Sequence, residues 1–523
     1  MLKFYITTAI DYVNASPHLG HAYEKVITDV VARWHRAQGD ETFFLTGTDE
    51  HGAKIVRAAD LAGKKPEEFV ADNRKQFQEL LELLNISNDD FIFTSDQKRH
   101  WPGAVKLWEK LADAGDLYKA KYEGLYCVGH EAFVTEKDLV NGVCADHQQK
   151  PEVIEEENYF FRLSKYAARV KKAIESGELR ILPESRKNEV LAFLTGNVED
   201  VSFSRPSKDI TWGVPVPKDP EHTMYVWAEA LTNYISALGY GSADEARFEK
   251  FWPADVHIIG KDILRFHAVY WPAMLLATGL PLQKTIFVHG MILSKGQKMS
   301  KTIGNVINPV EIINEFGADA FRYFVTREIP FGEDGDFTRE RFREVYEGSL
   351  AHGLGNLASR TAAMIEKYFS GTVECPEEAE RMSVPTRREL RKEVSSERVS
   401  LSGESIERYF TLGVVRFFED AMASYKLTDA ISVLQAFWTL LDGYIQDYEP
   451  YRLVKADPEK AKIVLWNVAW HIVRLAVLLE PFMPETSAAL LKLFGVSRAD
   501  AESPARIVIS KSGPLFPSKE EKK

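Results

Sequence analysis

An α/β parallel-sheet domain carrying an insertion, followed by an all-α helical bundle, is the fold class this sequence predicts. Three observations carry it. A strand–helix–strand unit fills residues 3–48. Strands and a helix of the same kind resume after about residue 254. From about 346 onward, long helical patterns run with almost no strand signal.

The elements follow in order. KFYITTAI is apolar and β-prone, and DYVNASP supplies turn chemistry. From His18 the apolar residues Leu19, Ala22, Val26, Val30 and Trp34 recur at helical spacing as far as Gly39, and ETFFLTGT is the next strand. A strand–helix–strand of this length opens a parallel sheet. Helices are predicted at about 53–62, 66–84 and 98–114. Residues 116–212 hold two Cys/His pairs, hairpin-like runs and a Pro- and charge-rich stretch, and read as an insertion. The sheet resumes with DVHIIG, the helix KDILRFHAVYWPAMLLATG and the strand KTIFVHG. The predicted division is 1–115 and 213–290 for the two halves of the α/β domain, 116–212 for the insertion, 291–345 for a lysine-rich loop region and 346–523 for the helical domain.

The 523 residues include 65 basic and 77 acidic side chains, a net charge of −12, which excludes a generic polyanion binder. Three cysteines rule out a disulfide framework and suit a reducing, cytoplasmic setting. MLKFYITTAI reads as a strand and not as a signal peptide. The most apolar stretch, Ile463 to Pro481, contains His471, Arg474 and Glu480, so a buried helix is expected and no membrane partner.

Two motifs carry phosphate chemistry. His18-Leu19-Gly20-His21 opens the first helix directly after the first strand. A helix N-terminus offers unpaired N–H groups and the positive end of the dipole, and two imidazoles can donate to charge developing at phosphorus. Alone, this could be a capped helix with two incidental histidines. The second motif is Lys298-Met299-Ser300-Lys301-Thr302, with Lys295 and Gly296 just before it: a cationic loop able to neutralise a departing pyrophosphate. A third pattern, Cys127-x2-His130 and Cys144-x2-His147, has the spacing of tetrahedral zinc; the other reading is buried cysteines beside surface histidines.

The strand–HxGH–helix unit together with KMSKT resembles the class I aminoacyl-tRNA synthetases. TTAIDYVNASPHLGHAYEKVITDV, TGTDEHG, YVWAEALTNY and GKDILRFHAVYWPAML narrow the resemblance to the methionyl-tRNA synthetases, from about residue 3 to at least 455. Thr302 stands where that family usually has Ser, which keeps the hydroxyl. The resemblance implies a Rossmann-like catalytic domain with an inserted connective domain and a helical-bundle anticodon-binding domain. It also implies methionine activation by ATP with Mg²⁺, and transfer of methionine to tRNA(Met).

It implies site residues too. His18 and His21 would stabilise the pentavalent phosphate, and Lys298, Ser300 and Lys301 would hold the leaving phosphates. Gly20, Glu24, Gly260 and Asp262 would line the ATP side, with Asp262 accepting ribose hydroxyls. Ile10, Tyr12, Trp227, Ala230, Tyr234, Ile263, His267 and Trp271 would surround the methionine side chain, and Asp49 would pair with its ammonium. A Tyr234 or Tyr12 hydroxyl is expected to donate to the thioether sulfur, which leucine lacks. Zinc, structural, would sit on Cys127, His130, Cys144 and His147, with His130 where the family more often has Cys. Asn356, Arg360 and Tyr451 would read and stack anticodon bases. With no room for the dimerising domain that some members append, a monomer is expected. The competing readings are a class I ligase for another amino acid and a non-catalytic tRNA-binding paralogue.

Overall fold

The structure, a computed structural model, describes residues 2–127, 132–134, 139–144, 149–298, 307–330, 332–378, 381, 393–394, 397–398, 405–511 and 513–519. The chain divides into two compact units, Met1–Met291 and Ile292–Lys523.

The first unit is built on six parallel strands: β1 (Lys3–Tyr12), β2 (Glu41–Asp49), β3 (Asp90–Phe93), β4 (Arg180–Leu182), β5 (Val256–Gly260) and β6 (Thr285–His289). Their order across the sheet is β3-β2-β1-β5-β6-β4. β1, β5 and β6 are buried along nearly their whole length, which is why their sequences run apolar without alternation. Helix α1 (Leu19–Ala37) follows β1 and leads to β2 on one side, whereas β5 pairs with β1 on the other. The strand order reverses there, and in such sheets the crevice at the carboxyl ends of the two strands is the place where a ligand fits.

The register of β1 against β2 contains one irregularity. Phe4 to Thr7 face Thr42 to Leu45, but Ile10 faces Gly47 and Tyr12 faces Asp49. β1 therefore carries one residue more than its neighbour between Thr7 and Ile10. Such a bulge re-aims the side chains that follow it, and those here are Ile10, Asp11 and Tyr12.

The stretch read as one insertion has two parts. Leu117–Cys127, Ala132–Val134, Glu152–Phe161 and Val201–Ser202 form a four-stranded antiparallel sheet. Between them, the helix Leu163–Ser176 packs on the helix Trp271–Thr278, and β4 pairs in parallel with β6 as the edge of the main sheet. The single helix expected at 261–279 is also segmented. A tight turn at Lys261–Ile263 precedes a widened π turn at Phe266–Tyr270, and the regular helix starts at Trp271. Pro272 has no N–H to give, and the Trp271 N–H reaches back five residues to the Phe266 carbonyl.

In the second unit, Gln297–Lys298, Ile292–Ser294 and Gly335–Asp336 make a small sheet. Beyond it lie helices, among them α2 (Asn356–Phe369), α3 (Leu427–Tyr448) and α4 (Pro458–Leu479), which pack on one another. α4 is long and apolar enough to cross a membrane, but most of it is buried inside the protein. Its composition is that of a core helix hydrophobic all round. Thr372–Glu374 and Arg506–Val508 add a two-stranded ladder that the sequence reading did not expect.

Candidate active site

α1 begins at the crevice, and its first turn is closed by two histidines instead of the usual hydroxyl or carboxylate caps. His18 Nδ1 accepts the Gly20 N–H at 3.1 Å, and His21 Nδ1 accepts the His18 N–H at 3.1 Å. The two rings stack with centroids 3.8 Å apart. A backbone N–H can only donate, so both Nδ1 atoms are acceptors, and each neutral ring carries its proton on Nε2. His18 is exposed, but partial loss of water around its ring lowers its pKa against the pull of Asp262. Burial lowers the His21 pKa further, with repulsion from His18 and Lys25 adding to it. Two neutral imidazoles with their Nε2–H groups uncommitted to the cap thus stand at the positive end of a 19-residue helix. Gly20 permits this closure, because a Cβ there would lie 2.9 Å from His18 Cε1.

Under this turn lies a buried ionic cluster that the sequence reading did not anticipate. Lys25 Nζ donates to Asp11 Oδ1 at 2.9 Å, Glu24 Oε1 at 3.0 Å, Thr8 Oγ1 at 3.2 Å and the Ala9 carbonyl at 3.2 Å. Glu24 Oε2 meets His289 Nε2 at 3.0 Å, at the end of β6. Burial pushes Asp11 up to about 7 against the attraction of Lys25. Burial also opposes ionisation of Glu24, but Lys25 and His289 outweigh it and lower its pKa. Glu24, expected on the ATP side, has both carboxylate oxygens engaged here. Its contacts tie the first turns of α1 to the end of β6.

Gly260 and Asp262 stand at the end of β5, across the crevice. A Cβ on Gly260 would lie 2.7 Å from Asp262 Oδ1, so glycine lets the carboxylate fold back over the strand end. Asp262 is exposed and close enough to His18 to act on its protonation. The structure thus brings His18, Gly20, His21, Gly260 and Asp262 together.

The residues expected around methionine also gather. Trp227 stacks on Phe266 at 3.9 Å and meets His267 edge-on, and Tyr234 lies against His257, His267 and Trp271. His267 Nδ1 faces the Ile263 carbonyl at 2.9 Å and Nε2 faces the Tyr234 hydroxyl at 2.6 Å. Burial lowers His267 to about 4, so the ring is neutral at pH 7. Only a donor can face a carbonyl, so Nδ1 carries the proton and Nε2 accepts the Tyr234 hydroxyl proton. In this arrangement the Tyr234 hydroxyl gives its proton to His267. Asp49 is buried at the end of β2, with Thr94 Oγ1 donating to Oδ1 at 3.2 Å. Ile10, Tyr12 and Ile263 pack against the same core, and Ala230 is buried.

Beside Asp49 lies a second unanticipated group. Glu229 Oε1 is 2.9 Å from His51 Nδ1, and Oε2 is 2.6 Å from His100 Nε2; His100 Nδ1 is 3.0 Å from Ser236 Oγ. A small cavity next to it is lined by His51, Gly52, Trp212, Tyr225 and Val226, among others. The only sequence signal for either cluster is charge inside otherwise apolar runs.

Of the lysine motif, Ser300 and Lys301 lie outside the described residues, and Lys298 ends a short strand paired with Ile292–Ser294. His130 and His147 also lie outside the described residues. Cys127 and Cys144 are both buried and sit in one cluster with Leu125 and Leu139. In the helical unit, Arg360 pairs with Asp442 at 3.1 Å, and Tyr451, exposed, donates to Glu449 Oε1 at 2.7 Å. The bond to Glu449 raises the Tyr451 pKa, against a weaker opposing pull from Arg452 and Arg360, and Asn356 is exposed one turn earlier on α2.

Known proteins resemble this chain in sequence and fold. The family model for class I tRNA synthetases (M) matches residues 4–145 and 134–362, and that for the anticodon binding domain of methionyl tRNA ligase matches 407–511. A methionine–tRNA ligase of Rhizobium meliloti is 43% identical over 94% of this chain and 92% of its own. That of Thermotoga maritima is 40% identical over 94% and 75%. The solved structure of Mycobacterium tuberculosis methionyl-tRNA synthetase in complex with methionyl-adenylate superposes with a TM-score of 0.89 at 36% identity, covering 99% of this chain and 100% of that one.

Proposed function

Because the chain belongs to the methionyl-tRNA synthetases of class I, we propose that the crevice at the carboxyl ends of β1 and β5 is where it activates its amino acid. The chain is a methionine–tRNA ligase. With ATP it forms methionyl-adenylate and pyrophosphate, and it then passes methionine to the 3′-terminal adenosine of tRNA(Met). The observation that carries the site assignment is the reciprocal cap of His18 and His21.

The first step needs no protein nucleophile, because the methionine carboxylate itself attacks the α-phosphorus. His18 and His21 donate from Nε2 to the oxygens that gain charge as the pentavalent phosphate forms. Asp262 accepts ribose hydroxyls. Lys298, Ser300 and Lys301 neutralise the departing pyrophosphate, and Mg²⁺ enters with ATP. Asp49 receives the ammonium, Trp227, Ala230, Ile263, His267 and Trp271 enclose the side chain, and Tyr12 addresses the sulfur. Cys127 and Cys144, brought together in one buried cluster, would hold a structural zinc with His130 and His147. Asn356, Arg360 and Tyr451 contact the anticodon. The protein acts in the cytoplasm, where its substrates are.

The test is ATP–pyrophosphate exchange with single amino acids. Exchange should be strongest with methionine; stronger exchange with leucine or cysteine overturns the assignment. No adenylate with any amino acid would favour a tRNA-binding paralogue.

A further inference from the structure

We propose that Glu229 is a positioning residue for methionine: it fixes the end of β2 that bears Asp49 against the segment 226–236 that bears Trp227, Ala230 and Tyr234. The inference rests on the assignment of these residues to the methionine site.

Asp49 ends β2, and His51 follows two residues later, so whatever holds His51 also sets where Asp49 stands. What holds it is Glu229 Oε1, at 2.9 Å from Nδ1. Glu229 lies between Trp227 and Ala230 on the helix Val226–Ala230. A helix of five residues has too few internal bonds to hold its own place, so its placement must come from tertiary contacts. The other carboxylate oxygen goes to His100, the residue that opens the helix Trp101–Asp113, and His100 continues to Ser236, two residues past Tyr234. One carboxylate thus joins three segments distant in sequence, two of which carry opposite ends of the amino-acid site.

The arrangement is buried throughout: Glu229 and His51 are 1% exposed and His100 is 0%. A carboxylate in such a place is tolerated only with both oxygens satisfied, and here each has its own imidazole donor. His100 carries the chain on, with Nδ1 3.0 Å from Ser236 Oγ. Apolar packing could close the same gap. A fully paired polar chain does so at fixed distances, which is what a ligand held at two ends requires.

The test is steady-state ATP–pyrophosphate exchange by the full chain, with KM measured separately for methionine and ATP. Glu229→Gln should raise the methionine KM about tenfold or more and leave the ATP KM within about twofold. An unchanged methionine KM, or an equal loss in both KM values and kcat, overturns the proposal. Should Glu229→Gln not yield folded protein by thermal melting, Ser236→Ala relaxes only the far end of the chain. It should raise the methionine KM about threefold with no change for ATP, and no rise overturns the proposal. Asp49→Asn is the control for the underlying assignment. If it leaves the methionine KM unchanged, the site assignment fails; if it raises that KM and the Glu229 and Ser236 variants do not, only the positioning role fails.

Discussion

The backbone N–H of His18 points at Nδ1 of His21, 3.1 Å away, so the proton of a neutral His21 sits on Nε2. Cap and donor are opposite ends of one ring and can be separated by substitution. His21→Asn keeps an acceptor near the cap and loses the distal donor. Its activation rate should fall about 10²–10³-fold with little change in melting temperature. His21→Gln, whose amide reaches farther, should retain more activity and lose about 1 kcal/mol of helix capping. Exchange rates and thermal melts check both; equal rates in the two variants would count against the donor role.

His267 gives a pH prediction. Its pKa drops from 6.5 to about 4 on folding because the ring is buried. Between those values the unfolded chain binds the proton more readily. The contribution to stability is therefore complete above pH 6.5 and disappears as pH falls toward about 4. The total is about 3 kcal/mol. Urea unfolding from pH 7 to pH 4 should show a steeper loss in the wild type than in His267→Gln.

Tyr12 and Tyr234 should part company. Tyr234→Phe leaves His267 Nε2 without its donor in the core, costing about 1–3 kcal/mol of stability, and should raise KM for methionine and for norleucine alike. Tyr12→Phe should raise KM for methionine more than for norleucine, since norleucine has no sulfur to receive the hydroxyl. A norleucine-to-methionine KM ratio unchanged by Tyr12→Phe would remove Tyr12 from that role.

For the Cys/His pattern, elemental analysis of purified wild type should find stoichiometric zinc, and Cys127→Ser and Cys144→Ser should lose it. Wild type without zinc would leave the two cysteines as packing residues.

Arg360→Ala should raise the KM for tRNA in aminoacylation about tenfold, or roughly 1.4 kcal/mol, and leave methionine-dependent exchange untouched. Its half-exposed pair with Asp442 contributes under about 1 kcal/mol to stability, so the melting temperature should hardly move. A parallel loss in exchange would show that the residue acts through the fold and not on tRNA.

What the sequence disclosed follows a physical divide. Apolar runs such as KFYITTAI and DVHIIG announced the strands of the sheet, and helical spacing from Leu19 to Trp34 announced α1. The histidine cap was legible because it is local: His18, Gly20 and His21 lie within one helical turn. β4 escaped notice because three residues, Arg180 to Leu182, are too few to display a pattern. The ladder at 372–374 and 506–508 is short for the same reason. Lys25 and Glu229 were opaque because their meaning is in partners far away: Lys25 reads as a polar helix position until Asp11 is set beneath it, and Glu229 until His51 and His100 arrive from other strands and helices. The bond from Tyr234 to His267 was equally out of sight, because a side chain's hydrogen-bond partner is not a property of its own sequence neighbourhood.

The surplus residue in β1 acts as a change of phase. Up to Thr7 the strand is offset from β2 by 38 positions, since Thr7 faces Leu45; beyond the bulge the offset is 37, since Tyr12 faces Asp49. Carried straight on, the earlier offset would set Asp11 opposite Asp49. Two carboxylates would then crowd the place proposed to attract one ammonium, and Tyr12 would no longer face Asp49. Deleting a single residue at Thr8 or Ala9 would leave every side chain of the motif intact and still exchange the partners. The chemistry of this end of the crevice is thus written partly in a count of residues, a kind of information that no individual side chain holds.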